Sequence, residues 1–409
     1  MTSTESTTCC IAGCGPAGAV LGLLLARAGI DVVVLEKHAD FFRDFRGDTI
    51  HASTLQVLDE LGLLGEFERL PHQRGTAFSL QTDEGTSVLG DMKTLPGRFQ
   101  YVAFVPQWDF LNFLTGAARR YRTFTLKMEA QAYELIESDG RVGGVRYRGP
   151  DGVGEIRAAL TVAADGRHSA LRQAAGLVAT DYGAPMDVLW FRISRLAGDP
   201  SGPFLKVAPG RIFPMLDRHD YWQAGYVVPK GGFDTLKGSG IETLQAELAR
   251  HLPFLCDRVR EVEDWGRVGF LEVRVNRLER WYRPGFLCIG DAAHAMSPIG
   301  GVGINLAIQD AVAAANLLAE PLRSGRLEER DLARVQRRRE LPTALTQRFQ
   351  VFMAKALIGG ALDAGPSARL PWTFRVGPRL PFLRRLIPRV LAIGVRNEHV
   401  RSGLIPPGS

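Results

Sequence analysis

The hydrophobic pattern changes character twice near the start of the chain. Residues 7–13 form a short apolar run, residues 17–29 carry apolar side chains at helical spacing, and residues 30–36 are rich in β-branched side chains. The helical pattern stops at Gly29, a residue that commonly follows a helix. Strand, tight turn, helix and strand make a compact βαβ unit, which favours a parallel sheet.

The pattern in the middle of the chain is different. Strand-like segments dominate there, at residues 188–195, 210–216, 221–228 and 267–273. One helix is predicted near 240–251, and two more strand-like segments near 76–90 flank a hairpin turn. We therefore expect a mostly antiparallel domain made of residues 76–96 and 183–274.

Patterns like those of the first unit return after residue 275. Residues 286–291 resemble a buried parallel strand, and residues 303–322 form a strong helical pattern. The predicted fold class is α/β: a Rossmann-like dinucleotide-binding domain with a parallel sheet, interrupted by the antiparallel domain and followed by a C-terminal helical segment. The expected bounds are 1–75, 97–182 and 275–345 for the dinucleotide-binding domain and 346–409 for the basic C-terminal extension.

Composition narrows the class of protein without identifying it. The 409 residues are 45% hydrophobic and 23% charged, as in an ordinary globular protein. The net charge of +6 is spread along the chain without a recognised nucleic-acid motif, so we expect no nucleic-acid partner. The five cysteines lack zinc-site spacing, so we expect reduced thiols and no metal. Without a signal peptide or a long apolar run, a cytoplasmic location is expected.

The first motif with chemical content is the glycine-rich turn of the βαβ unit. Its glycines allow a tight turn, a close approach of the backbone to a pyrophosphate, and tight packing of helix on strand. Glu36 ends the second strand, where a carboxylate can accept hydrogen bonds from ribose hydroxyls. The motif alone fits NAD as well as FAD. The expected cofactor-binding residues here are Gly13, Gly15, Pro16, Ala17, Gly18, Glu36 and Lys37.

Two further motifs each follow an apolar strand. Asp165 and Gly166 come after the first, and Asp291 comes after the second, where a carboxylate lies in the ligand crevice of a parallel sheet. A glycine-rich turn at 298–305 then opens a helix, whose N–H groups suit a second anionic centre. Two such helix starts fit a pyrophosphate and the N1–C2=O edge of a reduced flavin, which favours FAD.

Together, the three motifs resemble those of the single-component FAD-dependent aromatic monooxygenases with the p-hydroxybenzoate hydroxylase fold, over roughly residues 8–345. The resemblance implies that Glu36 holds the adenosine ribose, Gln107 touches the flavin and Asp291 binds the ribityl chain. Asp165 would support both FAD and NAD(P)H. Arg46 resembles an arginine near the pyrophosphate, although a surface ion pair with Asp44 or Asp48 is the alternative. The loop beside the isoalloxazine would contribute Pro298, Gly300 and Gly301 to catalysis and Gly303, Ile304 and Asn305 to cofactor binding.

The family's chemistry comes from its cofactor. By resemblance, NAD(P)H would reduce the FAD, O2 would add at flavin C4a, and the hydroperoxide would hydroxylate or epoxidise an aromatic or polyketide-like small molecule. One alternative keeps the fold but acts as a flavin-dependent reductase of alkenes or as a halogenase, although the WxWxIP segment of halogenases is absent. The other is a flavin-binding protein without turnover. Neither substrate identity nor oligomeric state follows from the sequence.

The sequence gives less information about which residues contact the substrate. Half of the aromatic and methionine candidates in the antiparallel domain should face away from the substrate by strand alternation. The candidates are Trp190, Phe191, Phe204, Phe213, Met215, Trp222, Tyr226 and Phe270. Arg192 or Arg211 could recognise an anionic substrate. His294 has two interpretations, a general base or a structural residue bonded to backbone beside the flavin, and the structural one is favoured.

The C-terminal stretch from 365 to 401 is rich in arginine and apolar residues. One interpretation is a basic amphipathic element that contacts a membrane or a lipophilic substrate. The favoured one is a helix that packs on the domain with a solvated arginine face, kept short by the prolines at 378, 381 and 388.

Overall fold

The structure, a computed structural model, describes residues 3–42, 49–83, 85–361 and 381–401. Its strands are β1 (Ser3–Ala12), β2 (Val32–Leu35), β3 (Thr49–Ile50), β4 (Gln73–Gly75), β5 (Ala77–Thr82), β6 (Gly85–Asp91), β7 (Val102–Phe104), β8 (Phe124–Lys127), β9 (Gln131–Ser138), β10 (Arg141–Gly149), β11 (Gly152–Ala163), β12 (Ala179–Asp181), β13 (Met186–Ser194), β14 (Phe204–Ala208), β15 (Arg211–Asp217), β16 (Tyr221–Pro229), β17 (Gly269–Leu271), β18 (Asn276–Leu278), β19 (Tyr282–Arg283) and β20 (Phe286–Cys288).

The helices are α1 (Pro16–Arg27), α2 (Ala52–Glu60), α3 (Leu64–Phe67), α4 (Gln107–Ala118), α5 (Ala170–Ala174), α6 (Phe233–Gly238), α7 (Ile241–His251), α8 (Gly303–Arg323), α9 (Glu329–Ala361) and α10 (Pro381–Ala392). Short 3-10 turns at Gly290–Ala292 and Ile299–Gly301 precede α8.

The main sheet has the strand order β19-β20-β11-β1-β2-β8. Its pairs β11–β1, β1–β2, β2–β8 and β11–β20 are all parallel, which confirms the parallel sheet predicted from the first βαβ unit. The β9–β10 hairpin extends it through β11. Residues 9–12 of β1 and all of β2 are buried and apolar because both faces of the sheet are covered there, and α1 packs between the sheet and helices α4 and α8.

The second sheet has the order β17-β13-β16-β15-β14-β5-β6. All of its pairs are antiparallel except β14–β5, so the mostly antiparallel character is confirmed. Strand β14 was missed in the sequence. It inserts between β15 and β5, and it joins the early β5–β6 hairpin to strands that come much later in the chain.

Helix α9 runs without a break through residue 345, where we expected the C-terminal extension to begin. Pro342 is tolerated inside it, and its carbonyl accepts a hydrogen bond from Thr346 Oγ1 at 2.9 Å. The C-terminal segment folds back on the body of the protein. α10 packs against β6, and beyond it Glu398 is buried. The predicted basic residues Arg369, Arg375 and Arg379 lie outside the described residues.

One described helix, Ile299–Arg323, is long and apolar enough to cross a membrane by length and composition. However, 78% of its apolar window is buried inside the protein, as in a core helix. From the sequence we expect no transmembrane helix, because Gly, Pro or charged residues interrupt the apolar runs; this helix qualifies by length and composition alone. The run is apolar because α8 packs against both α1 and α9.

Candidate active site

In the glycine-rich turn after β1, some glycines are required for packing of the turn and another leaves space for a ligand. Gly13 has a φ of 97°, and a Cβ there would lie 2.4 Å from the carbonyl oxygen of Ala164. A Cβ on Gly18 would lie 1.9 Å from the carbonyl oxygen of Gly13. Gly15, by contrast, has no atom within 4 Å of that position and caps α1. Gly13 and Gly18 thus hold the turn together, and Gly15 leaves room where a pyrophosphate can approach the helix N-terminus.

Glu36 lies across the same turn. Its Oε2 atom accepts a hydrogen bond from the Cys14 amide at 3.0 Å, and its Oε1 atom accepts one from the His38 amide at 3.2 Å. The carboxylate is therefore oriented before any ligand binds. Glu36 and Lys37 both line the cavity that starts at this turn.

Asp165 follows β11 at the carboxyl edge of the sheet. Burial raises the pKa of this carboxyl group. Hydrogen bonds from Ser169 and nearby backbone amides lower it, but the effect of burial is larger. Its Oδ2 atom accepts from the Leu171 amide at 3.5 Å, whereas its Oδ1 atom is buried without a hydrogen-bond partner among the described residues. A buried carboxylate oxygen that lies beside a cavity and accepts no hydrogen bond from the protein can accept one from a ligand hydroxyl group.

Two arginines that we had not singled out join the second motif to the third. Arg167 Nη2 donates to Asp291 Oδ2 at 3.4 Å, and Arg172 Nη1 donates to the Ala292 carbonyl at 3.2 Å. Arg172 Nη2 also donates a hydrogen bond to the Arg167 carbonyl oxygen at 2.9 Å. Both arginines stand in the segment after Asp165, but a single sequence does not show which residue they touch.

The loop before α8 is shaped by left-handed glycines. Gly300 and Gly301 have φ values of 77° and 61°. A Cβ on Gly301 would lie 2.1 Å from Thr49 Oγ1, and one on Gly300 would lie 2.7 Å from a methyl group of Leu391 in α10. A Cβ on Gly303, the first residue of α8, would have no atom within 4 Å. Gly300 and Gly301 thus pack closely against Leu391 and Thr49, whereas the start of α8 at Gly303 is open toward the cavity.

Asn305 is the one predicted cofactor residue of this loop that does not line the cavity, because its side chain is engaged within the fold. Its Oδ1 accepts from the His51 amide at 2.9 Å and from Thr54 Oγ1 at 2.7 Å, and its Nδ2 donates to the Thr49 carbonyl at 3.0 Å. The side chain is buried and ties α8 to the start of α2. Polar side chains satisfied in this way serve the fold.

The other predicted residues that the structure describes, apart from Gly18, line one cavity. They are Gly13, Gly15, Pro16, Ala17, Glu36, Lys37, Gln107, Asp165, Gly166, Asp291, Pro298, Gly300, Gly301, Gly303 and Ile304. Gln107 begins α4 as predicted. Gly18 is packed behind the turn, in keeping with its predicted packing role. Arg46, with Asp44 and Asp48, lies outside the described residues.

His294 belongs to a buried ionic network. Its Nε2 atom lies 2.5 Å from Asp310 Oδ2, which also accepts from the Gly290 amide at 3.1 Å. Arg339 Nε donates to Asp310 Oδ1 at 3.0 Å, and its Nη1 atom contacts Glu398 at 3.4 Å. Burial favours a raised pKa for Asp310, but His294 and Arg339 outweigh it and hold the pKa below its usual value. His294 is thus structural, although its partner is a carboxylate rather than backbone.

The cavity has a volume of about 970 Å³, and its far wall belongs to the second sheet. Of the eight candidate side chains, Trp190, Phe204 and Met215 line it. Another four, Phe191, Phe213, Trp222 and Tyr226, pack on the opposite face against α7. Phe270 is exposed and stacks on Phe233. Strand alternation explains most of this division.

Neither arginine candidate lines the cavity. The Arg192 guanidinium lies over the Tyr221 ring, 3.9 Å from its centroid, and Arg211 pairs with Glu247. Both charges are therefore engaged elsewhere.

Two helices complete the substrate wall: α9, for which the sequence predicts no such role, and α10, for which contact with a lipophilic substrate is the less favoured of the two interpretations. They contribute Phe349, Phe352, Met353 and Ala356 from α9 and Leu386, Ile387, Pro388, Val390 and Leu391 from α10. α10 is joined to the cofactor side by a hydrogen bond between His51 Nδ1 and the Leu391 carbonyl at 2.8 Å. Arg385 and Arg389 of α10 are exposed, as in a helix that packs on the domain with a solvated arginine face.

The geometry fits FAD. The same cavity is lined by the open Gly15 at one helix start, the open Gly303 at another, Asp165 with its buried Oδ1 atom, and the half-buried Asp291. A ligand with a pyrophosphate and a second anionic centre, such as the pyrimidine edge of a reduced flavin, could place one of them at each helix N-terminus. Within the described residues, no cluster of His, Cys, Asp and Glu side chains is suited to a metal ion.

Comparison with known proteins identifies the class. The FAD binding domain family matches residues 6–349, and the chain belongs to this family. It is 33% identical over 406 residues to 6-methylpretetramide 4-monooxygenase from Streptomyces rimosus, covering 98% of this chain and 96% of that one.

Two solved structures share the fold. One is the OxyS anhydrotetracycline hydroxylase from Streptomyces rimosus, with a TM-score of 0.75, 22% identity, and coverage of 95% of this chain and 76% of that one. The other is the p-nitrophenol 4-monooxygenase PnpA from Pseudomonas putida DLL-E4, with a TM-score of 0.75, 21% identity, and coverage of 97% and 100%. The predicted resemblance is confirmed: the protein is an FAD-dependent monooxygenase of the aromatic hydroxylase type.

Proposed function

We propose that this enzyme uses NAD(P)H and O2 to hydroxylate a flat, polycyclic, polyketide-like aromatic molecule. The observation that carries the proposal is the shape of the cavity: a wide apolar wall from the second sheet, α9 and α10 faces the loop at Pro298–Gly301. A single aromatic ring would leave much of this wall uncovered, whereas a fused ring system would bury it. The relative named 6-methylpretetramide 4-monooxygenase, similar over nearly the whole chain, supports the same substrate class.

When bound, FAD would supply the redox and oxygen-transfer chemistry. The protein's part is to bind, orient and exclude water. Gly15 and Gly303 present bare backbone at two helix starts, and the positive end of the α8 dipole favours negative charge at the flavin's pyrimidine edge. The apolar substrate wall keeps water from the reacting atoms.

The cavity mouth suits transient binding of NAD(P)H. Arg167 and the exposed His168 line the cavity. A guanidinium is charged at neutral pH, so Arg167 attracts the phosphates of a nicotinamide cofactor. Burial and the charges of Arg274 and Arg167 lower the pKa of His168, so its ring is neutral at that pH and contributes hydrogen bonds rather than charge. The sequence has no second complete dinucleotide fingerprint, in keeping with a nicotinamide that visits and leaves. A cytoplasmic location stays a prediction.

The test is oxygen uptake by the FAD-loaded enzyme with NADH or NADPH. We expect fused-ring phenols of three or four rings to accelerate NAD(P)H oxidation and to gain one oxygen atom from isotope-labelled O2, while p-nitrophenol does so poorly. Peroxide release without product would indicate a poorly fitting substrate class. A product that gains two hydrogens instead of oxygen would favour the reductase alternative, and no oxygen uptake with any compound would overturn the proposal.

A further inference from the structure

Gln223 is an exception on the sheet wall of the cavity. It lies in β16, paired with Leu216 of β15 and Arg192 of β13, and the residue is 5% exposed. The other side chains that β13, β15 and β16 contribute to the cavity are apolar or aromatic: Met186, Val188, Trp190, Ile212, Pro214, Met215, Leu216 and Val227. A buried amide on such a surface costs free energy unless it finds partners.

Arg218 fixes which way the amide faces. Its Nε and Nη2 atoms both donate to Gln223 Oε1, at 3.2 and 3.1 Å. A guanidinium has donors and no acceptor, so the oxygen of the amide must face it and the NH2 group must face away. Arg218 is itself buried, and burial lowers its pKa to about 10, so it stays charged at neutral pH and the orientation persists.

The Nε2 atom is therefore a directed donor. Among the described residues, none accepts a hydrogen bond from it, while Gln223 lines the cavity. A ligand that brings an oxygen to this point would satisfy the donor. A ligand with an apolar group there would leave the donor desolvated and unpaired, and one with an ammonium group would oppose donor to donor.

We propose that Gln223 donates a hydrogen bond from Nε2 to a carbonyl or phenolic oxygen of the substrate, and so determines which edge of the ring system faces the Pro298–Gly301 loop. This inference rests on the proposed function, since it assumes a fused-ring substrate in the apolar cavity. Gln223 is a specificity-determining residue: it selects and orients the molecule without taking part in the bond changes.

The experiment compares two ligands and two variants. The ligands are a fused-ring phenol that carries a keto or hydroxyl group on the edge remote from the hydroxylated ring and the matching compound without that oxygen. In the wild-type enzyme we expect kcat/KM to favour the oxygenated ligand by about five- to tenfold, the value of one well-placed neutral hydrogen bond. Gln223→Leu, which keeps the side-chain size, should lower kcat/KM for the oxygenated ligand by that factor and leave the other nearly unchanged.

Val227→Ala is the matched control. It lies on the same face of β16 and lines the cavity, but it removes apolar contact only. It should weaken both ligands equally. Flavin content and thermal unfolding of all variants establish that they fold. A Gln223→Leu variant that folds normally but lowers both ligands equally, or neither, would overturn the inference, as would unchanged product regiochemistry.

Ligand dissociation constants, measured from the perturbation of flavin absorbance in the absence of NAD(P)H, separate this inference from the proposed function. A Gln223-dependent preference in binding without any hydroxylation would overturn the proposed function and support the role of Gln223. Hydroxylation without that preference would support the proposed function and overturn the role of Gln223.

Discussion

The two sides of the cavity are built in opposite ways. On the cofactor side, the contacts come from backbone in short contiguous motifs, where Gly13 and Gly18 tolerate no side chain and Gly15 leaves an open face. On the substrate side, the contacts come from apolar side chains of β13–β16, α9 and α10, which are far apart in the chain. The first side demands particular residues, whereas the second demands a shape that many side chains can provide. A change on the first side should therefore act on the flavin, and a change on the second on the substrate alone.

The largest effect is expected for Gly18→Ala. The added methyl group would lie 1.9 Å from the Gly13 carbonyl oxygen, so the turn and α1 must move apart. We expect nearly complete loss of bound flavin, measured as the ratio of flavin to protein absorbance after purification, with a loss of stability of about 3 kcal/mol or more.

Gly15→Ala is the matched variant on the open face. Its methyl group meets no protein atom within 4 Å, so the thermal unfolding of the flavin-free protein should not change. FAD affinity should still fall about tenfold, roughly 1.4 kcal/mol, through crowding of the pyrophosphate. Full flavin content in Gly18→Ala, or an unfolded Gly15→Ala, would contradict the assignment of Gly18 to packing of the turn and of Gly15 to pyrophosphate binding.

His51, which links the cofactor side to α10 through its hydrogen bond to the Leu391 carbonyl, should make the folded protein less stable in acid. Burial lowers the pKa of His51 from 6.5 to about 4 while its Nδ1 atom bonds the Leu391 carbonyl. Because the folded pKa lies below the unfolded one, the unfolded state takes up the proton first between these values. The contribution to stability is complete above pH 6.5 and falls as the pH drops toward 4, by about 2 kcal/mol at about pH 5.

His51→Gln keeps a donor for Leu391 and removes the titration. The free energy of unfolding, measured by denaturant at several pH values, should depend less steeply on pH in this variant than in the wild type. Parallel curves for the two proteins would show that His51 does not contribute to the acid sensitivity.

A moderate effect confined to substrate is expected for Ile387→Ala in α10. Ile387 lines the cavity, so its truncation should raise KM for the fused-ring substrate about tenfold, while flavin content stays unchanged. Leu341→Ala, at an exposed leucine of α9 outside the cavity lining, serves as the control and should alter neither value. Loss of flavin from Ile387→Ala would mean that the two sides are not separable.

The smallest effect is expected for Arg192→Ala. Because this guanidinium lies on Tyr221 rather than in the cavity, kcat/KM should change less than about twofold, with a stability loss of about 0.5–1 kcal/mol from the cation–π contact. Steady-state kinetics with an anionic and a neutral substrate check this. A specific loss for the anionic one would restore Arg192 as a recognition residue.

The contrast between the two sides also explains what could be read from the sequence. The parallel sheet and the cofactor motifs were predictable because each glycine or carboxylate meets a local backbone requirement. Asn305 stood inside such a motif but turned inward, since its partners His51, Thr54 and Thr49 come from a distant part of the chain. No local pattern carries that information.

The substrate side was predicted only in outline. Strand alternation implied that about half of the aromatic candidates face away, but not which half. β14 was missed. For α10, substrate contact was only one alternative, because an apolar stripe beside arginines has the same pattern whether it covers a cavity, a membrane or the protein core. Contacts between elements far apart in the chain decided both.

The order of synthesis gives the β5–β6 hairpin a particular position in folding. It emerges early, yet β5 pairs in parallel with β14 through Ser79 and Phe204, and β6 packs against α10 near the C-terminus. Until those late segments arrive, the hairpin remains an unsatisfied sheet edge on the nascent chain, a site prone to wrong pairing. Closing such long loops is slow, so we expect the yield of folded enzyme to depend on the speed of translation and on chaperones that cover this edge.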